Sequence, residues 1–469
     1  MARNNNKYPL IEALEIIDIA AEGKSIGKYN DLVVFVPMTI PGDIVDVQIN
    51  NKRRRFMEGY VTRYIKHSEL KCEPFCSNYG DCGGCTWQNL PYDLQLKYKQ
   101  KQVVDQLERI GKIALPEINT IIGSEKTRYY RNKLDFAFSS KRWVTRSEID
   151  KGEQFDNSHA LGFHVSGAFD KILDIDMCHL QGEPSNEIRN EIRRYTIEND
   201  YSFYDVRSHE GFMRNVVIRT ASTGDTMVIV IFAYEDELLR KKLLDHLKAT
   251  FPQITSLIYI INEKLNDSYS DQDAICYAGN DHIMEFMEEL KFKVGAKSFF
   301  QTNSKQAYEL YKITRDAADL HEDQIVYDLY TGTGTIANFV AHRCKKVVGI
   351  EYVSEAIDDA KVNSSINSIS NTVFYAGDMK KVLTDKFIAQ NGKPDVIILD
   401  PPRAGVDPEV VVTILNAAPT RIVYVSCNPA TQARDIALMD ELYKVTKIQP
   451  VDMFPHTHHV ENVVVLERR

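Results

Sequence analysis

The chain has 469 residues, 26% charged and 43% hydrophobic, with a formal net charge of −9. That length exceeds a single hydrophobic core and suits roughly three domains of about 150 residues each. No apolar run approaches the ~20 residues of a membrane span, and Glu12, Glu15 and Asp18 interrupt the amino-terminal apolar residues where a secretory leader would need continuity, so a cytoplasmic, non-membrane protein is expected.

From Tyr8 to His67 the pattern is of short strands punctuated at Gly23, Gly27, Pro41-Gly42 and Asn50-Asn51. Runs such as Val33–Val36 and Ile44–Ile49 predict a small β-barrel over residues 1–67. A cysteine segment, 68–92, follows. It holds Cys72, Cys76, Cys82 and Cys85 and closes on Asn78, Gly80 and Gly83-Gly84. In a chain expected to stay in a reducing compartment, such crowding points to metal before disulfides. A lysine-rich helix is predicted from Asp93 to Arg109, stopping at Gly111 and able to pack on the carboxyl-terminal domain. Residues 93–290 read as an α+β domain without βαβ regularity. Between Lys126 and Arg146 lie Lys126, Arg128, Arg131, Lys133, Lys141, Arg142 and Arg146, interleaved with Tyr129, Tyr130, Phe136, Phe138 and Trp143. Despite the negative net charge, that mixture suits RNA: cations for phosphate and aromatics for unpaired bases. A second basic knot is Lys52–Arg55.

Residues 291–469 alternate strands with helices. Strands are predicted at Ile325–Leu329, Lys346–Ile350, Thr372–Tyr375, Val396–Leu399, Ile422–Val425 and Val463–Leu466, a Rossmann-like doubly wound α/β sheet. The strand ends carry the chemistry. After Asp328-Leu-Tyr330 comes Gly332-Thr-Gly334, a turn that a nucleotide-like cofactor can approach closely. Ala337 leaves a dinucleotide fingerprint open. Glu351, ending the next strand, and Asp378, ending the third, favour S-adenosylmethionine, with Glu351 on the ribose hydroxyls and Asp378 toward the adenine. Either acid can instead serve as a plain helix cap.

Asp400-Pro-Pro-Arg403 holds an acid at the sheet edge, because proline cannot continue the strand. The aromatic residue that amino-group methyltransferases place after such a motif is replaced by Arg403. Cys427, in Ser426-Cys-Asn-Pro429, ends a buried strand. Carbon-5 of a pyrimidine needs thiolate addition at carbon-6 before it can attack a sulfonium methyl, and a base must later remove the carbon-5 proton. Cys427 suits the first task and Glu461, beside His458-His459, the second. Cytosine-5 enzymes usually carry a cysteine after the motif proline, where this chain has Pro402-Arg403, which points to uracil. The bland alternative for Cys427 is a small buried hydrophobe. His456, His458 and His459 fit no common metal spacing. For the cysteine cluster, a radical triad fails on spacing, while a four-thiolate zinc knuckle and an iron–sulfur cluster both stay open.

With these motifs in place, the chain resembles the bacterial RNA (uracil-5-)-methyltransferases of the branch that modifies 23S ribosomal RNA. The resemblance covers nearly the whole chain. It implies that the first ~65 residues are a TRAM domain, an OB-like RNA-binding β-barrel, on Gly27, Val33–Val36 and Pro41-Gly-Asp43. It implies a [4Fe–4S] cluster on Cys76, Cys82 and Cys85, spaced C-x5-C-x2-C, with Cys178 as fourth ligand and Cys72 as an extra thiol. It places Gln301, in Phe300-Gln-Thr-Asn303, at the cofactor, together with Tyr330, Gly332, Gly334, Thr335, Glu351, Asp378 and Asp400. Asp400, Cys427 and Glu461 fall on the acid, nucleophile and base. Tyr330 stands where the family usually has phenylalanine, and Thr335 and Asp378 where asparagine is common. The implied protein is a monomeric enzyme methylating a uridine of 23S ribosomal RNA. The alternatives are the same reaction on transfer RNA and a non-catalytic RNA-binding protein.

Overall fold

Ten residues of alternating character, Leu10–Ile19, form the first strand of a barrel in the computed structural model, which describes residues 8–152 and 155–469. Residues 1–7 of the expected barrel segment and 153–154 of the central segment lie outside the described residues. Strands β1 (Leu10–Ile19), β2 (Ser25–Tyr29), β3 (Leu32–Val36), β4 (Ile44–Lys52) and β5 (Phe56–Lys66) close in the order β1-β2-β3-β5-β4. The barrel interior is filled by residues such as Leu14, Val34, Val47 and Met57. Gly59 is dictated by close strand approach, since a Cβ there would sit 2.6 Å from Val47 Cγ1. A small second cluster of Ile19, Ile40, Trp87 and Leu90 fastens the barrel to the cysteine segment.

Helix α1 (Tyr92–Gln106) runs on into one wider turn to Gly111. Its Val103, with Leu107 beyond it, enters the core of the carboxyl-terminal domain. The central domain comprises β6 (Lys133–Lys141), α2 (Arg146–Lys151), β7 (Ser158–His164), β8 (Ile172–Asp174), α3 (Ser185–Glu198), β9 (Met213–Thr220), β10 (Thr226–Phe232), α4 (Glu237–Thr250), β11 (Ser256–Ile261) and β12 (Ile275–Gly279). Its seven strands lie in the order β12-β11-β10-β9-β6-β7-β8. All neighbours are antiparallel except β10 and β11, which are parallel and joined through α4. That crossover is a βαβ unit where none is expected from the sequence. Every residue of β10 is buried, as a strand covered on both faces requires.

A hairpin, β13 (His282–Met287) with β14 (Leu290–Gly295), and α5 (Ser304–Ala318) lead into the last domain. Its elements are β15 (Ile325–Leu329), α6 (Thr335–Val340), β16 (Lys346–Glu351), α7 (Ser354–Ile366), β17 (Thr372–Ala376), α8 (Met379–Val382), α9 (Asp385–Asn391), β18 (Val396–Leu399), α10 (Pro408–Ala417), β19 (Arg421–Ser426), α11 (Pro429–Ala437), β20 (Tyr443–Val451) and β21 (Glu461–Arg468). The strand order is β17-β16-β15-β18-β19-β21-β20. Five strands are parallel, and β21 and β20 add on antiparallel. The expected doubly wound sheet is therefore present. Strand β20 is not expected from the sequence, because Lys444, Lys447 and Pro450 break its apolar pattern and its register slips between Val445 and Lys447. The order reverses between β15 and β18, which opens a crevice over their carboxyl ends. No helix among the described residues is long and apolar enough to cross a membrane.

Candidate active site

The turn after β15 lies at that crevice. Tyr330, Gly332 and Gly334 have φ of 67°, 54° and 74°. A Cβ on Gly334 would come within 2.8 Å of Ala360, so packing demands glycine there, whereas Gly332 faces open space. Glu351 closes the turn from β16: its Oε2 accepts from Gly332 N–H (3.2 Å) and its Oε1 from Val353 N–H (3.1 Å). Asp328 is fully buried and accepts from Thr331 Oγ1 at 2.5 Å, and burial pushes its carboxyl up to about 7. Asp378 caps α8, accepting from Lys380 N–H at 3.0 Å, so one of its oxygens serves the cap considered in the sequence. Thr335 is buried at the start of α6 with its Oγ1 3.4 Å from that of Thr333.

Strand register brings the three candidate reacting groups together. Leu399 pairs with both Leu329 and Tyr424, so Asp400 stands beside Tyr330 on one side and Val425 on the other. Ser426 pairs antiparallel with Asn462. One step onward on β19 is Cys427 and one step back on β21 is Glu461, so the antiparallel insertion makes them neighbours. Glu461 is the first residue of β21 and is buried. Burial, then the Asp400 charge, pushes its carboxyl up to about 8, with Arg403 opposing. Burial and then Asp328 push Asp400 up to about 7. Burial and Glu461 push the half-buried Cys427 thiol up to about 11, while Arg403 acts the other way. Cys427 also precedes the first turn of α11, whose positive end favours a thiolate. The two loops are tied together, since Asn428 Nδ2 and Thr431 Oγ1 donate to the Arg403 carbonyl at 3.1 and 3.2 Å.

Gln301 lies on the segment before α5, its carbonyl accepting from Asn132 Nδ2 at 2.9 Å. Tyr311 on α5 is a site residue that no motif marks. It is buried, hydrogen-bonds with Gln301 and feels the charges of Asp400, Glu461 and Asp328. Only its spacing along an amphipathic helix hinted at burial, and nothing hinted at these partners.

The loop between β20 and β21 leads directly into Glu461 and is held from four directions. Asp452 Oδ1 accepts from Lys99 Nζ at 2.5 Å, with both side chains fully buried, and its Oδ2 accepts from Tyr92 OH at 2.7 Å. Gln95 Oε1 accepts from His456 N–H at 2.8 Å. Tyr92, Gln95 and Lys99 thus form one face of α1. Thr86 and Trp87 N–H donate to the His456 carbonyl (2.8 and 3.1 Å), Tyr130 OH to Pro455 (3.0 Å), and Asn303 Nδ2 to Met453 (2.9 Å). The histidines are part of this loop's packing: burial pushes His456 down to about 4 and His459 to about 3, keeping both neutral. Because removing one member of a buried ion pair strands the other charge, Lys99→Met is expected to cost roughly 3–5 kcal/mol of stability. A lowered urea midpoint, partly restored in Lys99→Met/Asp452→Leu, would verify this; a midpoint unchanged in the single variant would refute it.

Cys76, Cys82, Cys85 and Cys178 line one cavity of about 150 Å3, with Phe75 and Arg131 in its wall. Burial first, then the neighbouring cysteines, push the Cys82 thiol up to about 12; burial likewise lifts Cys85, to about 11. Cys72 is turned away, donating to the Gln88 carbonyl at 3.4 Å. Among the described residues no group of three or more His, Cys, Asp or Glu is arranged to hold a metal ion.

The basic face expected over Arg128, Arg131, Lys133 and Arg142 does not form as one exposed set. Arg142 is paired with Glu148 at 2.8 Å, because the turn before α2 folds that acid back onto it. Arg131 is turned to the cysteine cavity, and Arg128 stacks over Phe75 at 3.9 Å. Lys133 is partly buried on β6, opposite Arg219. Lys52–Arg55, at the tip of the β4–β5 hairpin, is exposed.

Residues 272–469 match the model of the tRNA (uracil-5-)-methyltransferase family, and residues 10–62 that of the TRAM domain. An uncharacterized RNA methyltransferase of Bacteroides thetaiotaomicron is 59% identical, covering 96% of this chain and 100% of its own. One of Porphyromonas gingivalis is 54% identical, covering 97% and 99%. Among solved structures, a Pyrococcus abyssi tRNA (uracil-54, C5)-methyltransferase in complex with S-adenosyl-L-homocysteine superposes with a TM-score of 0.75 at 28% identity, covering 97% of this chain and all of that one.

Proposed function

Because the chain belongs to the tRNA (uracil-5-)-methyltransferase family of RNA methyltransferases, we propose that it methylates carbon-5 of a uridine in structured RNA, with Cys427 as nucleophile, Glu461 as base on one side of it and Asp400 on the strand end at its other side. The observation that carries this reading is the cross-strand placement of Cys427 beside Glu461 at the crevice, next to the glycine turn. S-adenosylmethionine supplies the methyl group as a sulfonium. The chain's own residues do the rest. Glu351 and the Gly332–Gly334 turn would hold the nucleoside end, with Asp378 and Tyr330 beside it and Thr335 under the turn. Gln301, which hydrogen-bonds with Tyr311, would contact the cofactor from the segment before α5. Cys427 Sγ adds to carbon-6 of uracil, and the ring electrons pass to the oxygen at carbon-4, leaving carbon-5 nucleophilic. Once carbon-5 is methylated, Glu461 takes its proton, the carbon-5–carbon-6 double bond re-forms and the thiolate leaves.

The substrate we propose is 23S ribosomal RNA, supported by a TRAM barrel and cysteine segment placed ahead of the catalytic domain. Transfer RNA is the second reading, favoured by the likeness to the Pyrococcus abyssi enzyme. Incubation with tritiated S-adenosylmethionine and either bulk RNA from a strain lacking the gene tests both. Label confined to transfer RNA would replace the first reading by the second. Label in neither would leave a non-catalytic RNA-binding protein.

We also propose that Cys76, Cys82, Cys85 and Cys178 hold a [4Fe–4S] cluster, supported by their shared cavity and by Cys72 facing away from it. A single zinc ion would need its thiolates converging within ~2.3 Å of one point. Its role would be structural, fastening the cysteine segment to the central sheet. Cys178→Ser is expected to drop iron from about four per chain to near zero while S-adenosylhomocysteine still binds. About one zinc per chain, dependent on Cys72 and indifferent to Cys178, would overturn this assignment.

A further inference from the structure

We propose that Arg131 is the counter-cation of the anionic metal–thiolate group in the four-cysteine cavity, and so a determinant of its retention and redox potential. This rests on the iron–sulfur reading above. Arg131 is fixed by its backbone: its N–H donates to the Leu180 carbonyl at 2.8 Å, and it bridges to Gln181, just past Cys178. From there its side chain forms part of the wall that the four cysteines share. The guanidinium carbon lies 5.2 Å from the Phe454 ring and 5.8 Å from that of Tyr130, and Nε is buried without a hydrogen-bond partner. Its side chain also hydrogen-bonds the Tyr130 hydroxyl, a neutral partner.

A guanidinium against aromatic rings with a buried, unpartnered N–H is costly unless an anion faces it. Four thiolates around a metal group supply that charge, because their negative charge outweighs that of the iron–sulfide core. Two other cations lie near: Arg189 is held by Asn186 Oδ1, the Asp176 carbonyl and Asn190 Oδ1, and Arg128, over the Phe75 ring, is exposed. Arg131 is the cation whose side chain forms the cavity wall itself. Such partners in the surroundings of a metal group typically change its affinity by about 10–100-fold. A cation also favours the more negative, reduced state, so removing it lowers the potential.

The test compares wild type, Arg131→Met and Arg131→Lys, purified without oxygen. Iron per chain, the rate of bleaching of visible absorption by an iron chelator, and the reduction potential by dye titration are measured. Circular dichroism and S-adenosylhomocysteine binding verify the fold. Arg131→Met is expected to bleach about 10–100-fold faster and to show a more negative potential, with Arg131→Lys close to wild type. A folded Arg131→Met protein that bleaches and titrates like wild type overturns the proposal alone. Wild-type protein without iron overturns the cluster reading and this inference with it. Should Arg131→Met fail to fold, the lysine variant decides: wild-type behaviour supports the role of charge, and fast bleaching despite the retained charge overturns it.

Discussion

Cys427→Ala is expected to lower methyl transfer by about 10^4-fold or more, with S-adenosylmethionine affinity unchanged. Carbon-5 of uracil does not attack an alkyl sulfonium unaided, so losing covalent addition removes the reaction path and not only part of a barrier. The cofactor's expected contacts lie on other strand ends, at the turn after β15 and at Glu351, which this substitution does not touch. Cys427 is half-buried and lies just beyond the last residue of β19, so truncation leaves the sheet register intact. Three measurements separate the roles: tritium transfer to RNA, calorimetric binding of S-adenosylhomocysteine, and gel-shift trapping with 5-fluorouridine RNA. Fluorine at carbon-5 cannot leave as a proton does, so the wild-type adduct accumulates and the alanine variant gives none. An adduct formed by the alanine variant would hand the nucleophile's role to another residue.

The strand ends were legible because parallel, doubly covered strands are continuous apolar runs, and the residue after each run lies at the crevice. That logic placed Asp328, Glu351, Asp400 and Cys427. It could not place Glu461 beside Cys427, since their meeting depends on β21 entering antiparallel between β19 and β20, a pairing between strands with no local signature. It missed β20, where lysines and a register slip conceal the alternation. Tyr311, Lys99 and Asp452 were out of reach for a related reason: Lys99 meets Asp452 353 positions away, Tyr311 meets acids from three separate strands, and a buried lysine looks like a surface one in sequence. The basic stretch misled in the opposite direction. A count of cations could not foresee that Arg142 would be spent on Glu148 or that Arg131 would turn to the cysteines. Cys178 entered the ligand set only by resemblance, and its place in the cavity wall depends on the fold of the central sheet.

Glu461→Gln is expected to leave methyl transfer possible but stall release, so that protein stays covalently attached to methylated RNA. The amide keeps the size and much of the hydrogen bonding of the carboxyl group but cannot accept the carbon-5 proton. Its effect should therefore appear after the methyl has moved: single-turnover label reaches RNA, while multiple turnover drops by about 10^2–10^4-fold, the usual worth of a positioned base. The pH dependence gives an independent check. Burial and the Asp400 charge push Glu461 up to about 8, so at neutral pH the uncomplexed enzyme holds it mostly as the acid. A base is competent only when deprotonated. Where proton removal limits turnover, the rate should rise about tenfold per pH unit below that value and level off above it. Arg403 opposes the shift, so Arg403→Met should move the break in this profile to higher pH. In Glu461→Gln the slope should vanish, leaving release slow at every pH. Clean, rapid release by the glutamine variant, or a wild-type profile already flat from pH 6 to pH 9, would remove Glu461 from this role. The profile is read in the first turnover, where labelled product forms before RNA dissociation and proton removal is not masked by release.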